Sequence, residues 1–321
     1  MNSNPFGITG DFTTAPNISR LFSEMIAIWT ISFWESLRSP KKFNLIVLGA
    51  GNGEMMKVMI ESFKIFPSFN SSCNIFIYEK SPKLIKEQKK KIKFKNIKWI
   101  TNLKKLNKSP SIFLANEFFD AIPIKQFLKS RSNWFEKFVH ISSNKKAKFI
   151  NKRINIKKIE KKINFKVSDK QNFIEYSPLG LKYLKDIFGF IKKNNGGLLI
   201  IDYGYFDEKM KDTLQAIYKQ KYSKVLENIG KSDITYNINF YLVKKIAKNF
   251  NELNINFTSQ KKFLTNLGIH QRAEIIGKNK TFSEKSDIFY RLKRLIDKKE
   301  MGDLFKVMLI KRSNNNSQIG F

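Results

Sequence analysis

The segment FNLIVLGAGNGEMMKVMIESF, Phe43 to Phe63, constrains this chain more than any other. A short apolar run meets a glycine turn and continues as a helix, the repeating unit of parallel α/β sheets. The unit recurs downstream. CNIFIYEKSP reads as a strand ending in Glu79, with Ser81-Pro82 opening another helix; IKWI is a short third strand; SIFLANEFFDAIP is a fourth, ending near Asn116. After a helix predicted over Leu179 to Lys193, GGLLIIDYGY supplies a fifth strand, and FKVMLIKR supplies a late one. Short apolar strands alternating with helical stretches predict a doubly wound, Rossmann-like α/β sheet.

Other segments sit around that sheet. From Ile18 to Leu37 the apolar residues Ile18, Leu21, Phe22, Met25, Ile26, Trp29, Phe33 and Leu37 follow helical spacing, with Ser19, Arg20, Ser23 and Glu24 off the stripe. This predicts an amphipathic helix started by Pro16 and Asn17. Between Trp134 and Val167 the charged alternation of WFEKFVHIS and INFKVS predicts an antiparallel hairpin insertion. Residues 207–303 mix helices with polar loops, and SNNNSQIGF reads as a frayed tail. The expected organisation is one domain: an N-terminal loop and helix (1–40), the first half of the core (41–133), the hairpin insertion (134–170), and the second half with helical insertions (171–321).

Composition removes several function classes. The 321 residues are 42% hydrophobic, ample for a core, and no apolar run approaches the roughly 18 residues of a membrane span. The N-terminus has no basic segment followed by an apolar one, so a secretory signal is not expected, and the lone Cys73 rules out an internal disulfide or cysteine zinc cage. A cytoplasmic protein is expected. With only His140 and His270, one in the hairpin and one in a helix-loop segment, neither a Ser-His-Asp triad nor a histidine metal site is expected, and no metal is expected. The net charge of +33 is extreme, and Lys83 to Lys108 hold eleven Lys against one Glu. Because the excess is Lys rather than Arg, spread along the whole chain amid abundant Asn and Ile, it reads as compositional drift with a solvated basic surface. A selected field for nucleic acid or anionic lipid is the other reading; specific base or phosphate readout favours the bidentate Arg fork.

The turn Gly49-Ala50-Gly51-Asn52-Gly53 lets a ligand approach the backbone closely. Its next residue, Glu54, would repel a pyrophosphate at the helix N-terminus, and no Lys-Ser/Thr phosphate loop follows. A glycine turn without phosphate features, followed by a strand ending in an acid, suits a ligand with a ribose and no pyrophosphate, which is S-adenosylmethionine. Glu79 would accept hydrogen bonds from the two ribose hydroxyls; its other reading is an ordinary exposed acid at a strand end.

GDFTTAPNIS, LGAGNG, NEFFDAIPIKQF, IEYSP, GGLLIIDYGY, DTLQA, SDIT and FLTNLGI stand in the order seen in the MidA-like family, which the chain resembles from Pro5 to Arg312. That resemblance implies a methyltransferase sheet, S-adenosyl-L-methionine as cofactor, and methylation of a protein arginine in a respiratory complex I subunit. It also implies a mitochondrial matrix location if the source is eukaryotic. The family's opening motif lies near the cofactor, which adds Gly10, Asp11 and Thr13 to Gly49, Gly51, Gly53 and Glu79 as cofactor residues. Three departures stand out: Val47 and Asn17 occupy positions where the family usually has acids, and only nine residues precede Gly10, where it usually has several tens. They motivate the alternative of a non-catalytic methyltransferase fold acting as an assembly chaperone or RNA-binding protein. Specific nucleic-acid binding is not expected, nor is more than peripheral membrane contact.

An arginine acceptor is a cation, so the catalytic reading falls on carboxylates that grip a guanidinium. Glu117 and Asp120 in NEFFDA follow the fourth strand at the sheet's carboxyl edge, and Asn116 could orient substrate or the cofactor amino group. Glu175 in IEYSP and Asp202 in IDYGY are further strand-side acids; Asp202 reads equally well as a buried acid bonded to loop amides.

Overall fold

The computed structural model describes residues 14–144 and 146–321. Along the chain, α1 (Ala15–Ile18) and α2 (Arg20–Ser36) lead into β1 (Phe43–Leu48), α3 (Glu54–Phe63), α4 (Pro67–Ser72), β2 (Cys73–Tyr78), α5 (Pro82–Lys91), β3 (Ile97–Ile100) and β4 (Ser111–Asn116). Next come β5 (Lys125–Ser130), β6 (Asn133–Ile141), β7 (Ala147–Ile154), α6 (Ile156–Ile163), β8 (Phe173–Tyr176), α7 (Pro178–Asn194) and β9 (Gly196–Tyr205). β10 (Gln215–Tyr218), β11 (Lys221–Ser223), β12 (Asp233–Thr235), β13 (Ile238–Asn239) and α8 (Phe240–Lys248) follow. The chain closes with β14 (Leu253–Ser259), α9 (Gln260–Asn266), α10 (Ile269–Gly277), α11 (Phe282–Ile296), α12 (Met301–Leu304) and β15 (Phe305–Arg312).

These elements form two compact units. The sheet unit comprises residues 14–118, 188–203 and 250–321; the inserted unit comprises 119–187 and 204–249. In the sheet unit the strand order is β14-β15-β9-β4-β1-β2-β3. The pairs β1/β2, β1/β4, β2/β3 and β4/β9 are parallel, while β15 runs antiparallel to β9 and to β14. Every residue of β1 is buried, as a central parallel strand covered on both faces requires. The chain builds outward from β1 through β2 and β3 on one side, then returns to β4 and β9 on the other. The strand order therefore switches between β1 and β4, where open α/β sheets bind ligands at the carboxyl ends of their strands. This is the doubly wound sheet the sequence predicts.

Two sequence expectations change here. The helix begins at Arg20 rather than at Pro16-Asn17, because Ser19 is extended and its hydroxyl accepts the Leu21 amide at 3.2 Å as an N-cap. Its polar side is largely covered: Ser19, Ser23 and Glu24 are buried along with the apolar stripe, while Arg20 is exposed. Burial alone would raise the Glu24 carboxyl, but Arg272 and Arg20, bonded to it at 2.7 and 2.8 Å, hold it below its ordinary value. The tail is not frayed either. Phe321 packs on Phe263 with ring centroids 5.4 Å apart, the Ile319 carbonyl accepts the Trp29 indole N–H at 3.2 Å, and Asn315 is buried. The apolar Ile319 and Phe321 outweigh the polar run before them.

In the inserted unit an antiparallel hairpin does form, but β6, the WFEKFVHIS strand, pairs with β7 from Trp134↔Ile154 to Ile141↔Ala147, not with INFKVS, where α6 ends and irregular chain follows. Two flanking strands extend it into an antiparallel sheet of order β7-β6-β5-β8, and β10, β11 and β12 make a second small antiparallel sheet within the segment read as helices and loops.

Candidate functional site

The glycine turn follows β1 at the switch point. Gly49, Gly51 and Gly53 have φ of 66°, 53° and 82°, the left-handed region that favours glycine. A side chain at Gly49 would meet the Phe118 ring at 3.0 Å, and one at Gly53 would meet Ile92 at 3.1 Å. Beyond the turn, the Glu54 amide at the start of α3 is bonded to Asn52 Oδ1 at 3.0 Å, and the Glu54 carboxylate pairs with Lys91 at 3.0 Å. That helix end is occupied by polar partners and an acid, which is unfavourable for pyrophosphate.

Glu79 follows the end of β2, one strand over, and is nearly buried. Its Oε1 accepts the backbone amides of Lys80 and Ser81, each at 2.9 Å, and its Oε2 accepts Gln88 Nε2 at 3.2 Å. The surface-acid reading of Glu79 therefore fails: the carboxylate is held in a fixed plane at the carboxyl edge. Gln88, fully buried on α5, also donates to the Gly51 carbonyl at 2.8 Å and accepts the Trp99 indole N–H at 2.9 Å.

On the other side of the switch point, Leu48 of β1 lies opposite Ala115 of β4, so Asn116 and Glu117 emerge beside the turn. Glu117 has a φ of 49°, unusual for a side chain larger than asparagine, and its amide donates to the Ile201 carbonyl at 2.9 Å. Its Oε1 accepts Asn116 Nδ2 at 3.2 Å and the Ala15 amide at 3.4 Å. Among the described residues, the buried Asn116 Oδ1 has no hydrogen-bond partner. Phe118 places its ring edge-on to Tyr78, centroids 6.2 Å apart.

Gly10, Asp11 and Thr13 lie outside the described residues. The part of the opening motif that is described reaches the turn: Asn17 Nδ2 donates to Thr14 Oγ1 at 2.9 Å, and Asn52 Nδ2 donates to Asn17 Oδ1 at 3.0 Å. Asn17, where the resemblance leads one to expect an acid, uses both faces of its amide here. Val47 is buried in β1.

Asp120 begins the inserted unit and is buried. Burial, and after it the charge of Asp233, push its carboxyl up to about 7. Glu175 on β8 is buried in the same unit; it accepts Gln126 Nε2 at 2.6 Å and the Thr213 hydroxyl, and burial raises its carboxyl. Asp202, in the sheet unit, is fully buried and accepts the Tyr203 amide at 2.9 Å. That amide belongs to the next residue of β9, not to a loop as expected from the sequence. Burial raises the Cys73 thiol well above its ordinary value, which suits a core residue.

The sheet unit thus brings Gly49, Gly51, Gly53, Glu79, Asn116 and Glu117 to the carboxyl ends of three adjacent strands. Sequence reasoning missed Gln88, Asn52 and Trp99. One signal was available for Gln88: it takes the middle place of the helical stripe Leu84, Gln88, Ile92, a single amide where an apolar residue would be expected.

Residues 25–258 match the model of the S-adenosyl-L-methionine-dependent methyltransferase family. The mitochondrial protein arginine methyltransferase NDUFAF7 of Xenopus tropicalis is 27% identical over 335 aligned positions, covering 95% of this chain and 76% of that protein. Its Homo sapiens counterpart is 26% identical, covering 93% and 73%. A COG1565 superfamily protein from Burkholderia thailandensis, solved with S-adenosyl-homocysteine bound, shares the fold with a TM-score of 0.81 at 19% identity, over 99% of this chain and 84% of that one.

Proposed function

Because this chain belongs to the S-adenosyl-L-methionine-dependent methyltransferase family, we propose that it methylates an arginine of a protein, as the arginine methyltransferase names of its relatives suggest, and that the protein is a subunit of respiratory complex I, as the resemblance to the MidA-like family implies. We place it where that complex is assembled, the cytoplasm or the mitochondrial matrix. Among the described residues no helix is long and apolar enough to cross a membrane.

The residues at the switch point fit the cofactor. Three left-handed glycines leave the backbone bare, the oriented Glu79 carboxylate offers acceptors for ribose hydroxyls, and the buried Asn116 Oδ1 lacks a donor that an ammonium group would supply. S-adenosylmethionine, when bound, supplies a methyl group on a sulfonium for in-line displacement. Positioning then carries most of the catalysis, and good alignment is worth roughly 7–11 kcal/mol. We extend the candidate cofactor set to Gly10, Asp11 and Thr13 by the family resemblance.

Glu117 carries the acceptor chemistry in this reading. A guanidinium keeps its proton throughout the working pH range, so its nitrogens are poor nucleophiles. Glu117 would accept hydrogen bonds from two guanidinium N–H groups, biasing electron density toward the attacking nitrogen, and its carboxylate would take the proton that nitrogen releases after transfer. The single observation that supports this role is its placement: a φ of 49° at the end of β4, with the carboxylate tethered by Asn116 and the Ala15 amide. Holding that backbone costs on the order of 1–3 kcal/mol, and such conformations cluster at functional sites. Asp120, whose carboxyl burial pushes up to about 7 and so leaves only partly ionised near neutrality, is proposed as a secondary acceptor of hydrogen bonds rather than as the charged grip.

The cofactor half of the proposal is tested by calorimetry with S-adenosylmethionine. Wild type should bind, and Gly51→Val, which forces a β-branched residue to a φ of 53°, should lose most of the affinity. Equal affinity in the two proteins would remove the turn from the site.

A further inference from the structure

We propose that Gln88 is a positioning residue that locks Glu79 and the glycine turn into one arrangement, setting cofactor affinity without touching the cofactor. The inference rests on the reading that Glu79 binds the ribose.

The argument begins with orientation. A buried amide is costly unless its polar atoms are paired, and Gln88 is fully buried. The Trp99 indole N–H can only donate, so the atom facing it at 2.9 Å must be the amide oxygen. The NH2 group then faces the Gly51 carbonyl at 2.8 Å and Glu79 Oε2 at 3.2 Å, both of which can only accept. A flipped amide would set donor against donor at Trp99 and oxygen against oxygen at the other two contacts. The geometry leaves one orientation, and in it a single side chain bridges the middle of the turn to the carboxylate.

Each end of that bridge needs it. The amides of Lys80 and Ser81 both bond Oε1, which fixes one oxygen of Glu79 but leaves rotation about that anchor; Gln88 fixes the other. Gly51, at a φ of 53° between two more left-handed glycines, sits in the most freely hinged part of the backbone, and its carbonyl is pinned by the same NH2 group. The helix that carries Gln88 is itself braced against the turn, since Ile92, the residue closing α5, lies where a Gly53 side chain would go. Trp99 completes the brace from β3, with Lys89 Nζ 5.5 Å from its ring centroid.

The test is a double-mutant cycle read by calorimetry with S-adenosylhomocysteine on the full chain. It uses wild type, Glu79→Ala, Gln88→Met, and the double variant, with thermal midpoints recorded alongside. Gln88→Met keeps the volume and removes all three hydrogen bonds. We expect Gln88→Met to weaken binding by about tenfold to a hundredfold, the scale of one to two lost polar interactions. In the Glu79→Ala background the same change should cost markedly less, about threefold, because only the Gly51 carbonyl is left for the amide to hold. A merely structural Gln88 would give equal losses in both backgrounds, and that result overturns the proposal. Should Gln88→Met fail to fold, Trp99→Phe removes only the donor that sets the amide's orientation. It should weaken binding by about threefold to tenfold, again more when Glu79 is present than when it is absent, and an equal loss in both backgrounds likewise overturns the proposal. If wild type binds and Glu79→Ala binds equally well, the ribose assignment fails and takes this inference with it. If Glu79→Ala loses affinity while Gln88→Met and Trp99→Phe do not, the inference alone fails.

Discussion

Glu117 and Asp120 stand three positions apart in NEFFD, yet their surroundings differ. Glu117 is tethered by hydrogen bonds from Asn116 and the Ala15 amide. Asp120 is buried near Asp233, and its carboxyl rises from an ordinary 3.8 to about 7. The folded chain therefore holds the Asp120 proton more tightly than the unfolded chain does. Its contribution to stability is full below about 3.8, falls as pH rises, and is gone above about 7. Asp120→Asn removes this titration. Denaturant unfolding should show a flatter stability profile between those pH values and a variant more stable than wild type at pH 8, on the order of 2 kcal/mol. An unchanged profile would mean that Asp120 ionises normally. The motif shows both acids in the sequence; the difference between them does not show, because Asp233 lies more than a hundred residues away along the chain.

At the scale of elements, the patterns that can be read locally are the ones the sequence shows. Strand, glycine turn and helix follow one another within some twenty residues at Phe43 to Phe63, and β1, α3 and the turn fall where that pattern puts them. The polar face of α2 could not be read the same way. Glu24 is buried because Arg272 on α10 reaches it, and that partner lies far along the chain. The tail fails for a similar reason, since Phe321 is apolar only to some purpose once Phe263 is beneath it. The paired glycines that open β9 show a case where the sequence hints and packing explains. A Cβ on Gly196 would sit 1.9 Å from the Ser111 carbonyl oxygen, and one on Gly197 would sit 2.7 Å from the Phe33 ring. Gly197→Val should therefore lower stability by about 1–3 kcal/mol or more through overpacking against α2, seen as a lower thermal midpoint. A midpoint within a degree of wild type would mean that Phe33 moves aside freely.

The whole molecule carries a net charge of +33 over two units, supplied by lysines spread along the chain. Among the described residues many ion pairs are exposed, such as Lys224 with Glu227 and Lys280 with Glu284, and contribute little to stability. Binding to duplex DNA or RNA should accordingly be weak, fall steeply with salt and show no sequence preference in filter binding or anisotropy. Sub-micromolar affinity for one defined RNA at physiological salt would restore the binding-protein alternative, which the intact turn, the oriented Glu79 and the family match disfavour. The central claim is that this fold methylates arginine through Glu117, and the most direct measurement is methyl transfer by purified chain to peptides from a complex I subunit, analysed by mass spectrometry. Wild type should modify an arginine peptide and not its lysine counterpart. Glu117→Gln, which keeps the shape and removes the charge, should bind cofactor normally and lose activity by orders of magnitude. Full activity in Glu117→Gln, or transfer to lysine in place of arginine, would contradict the account.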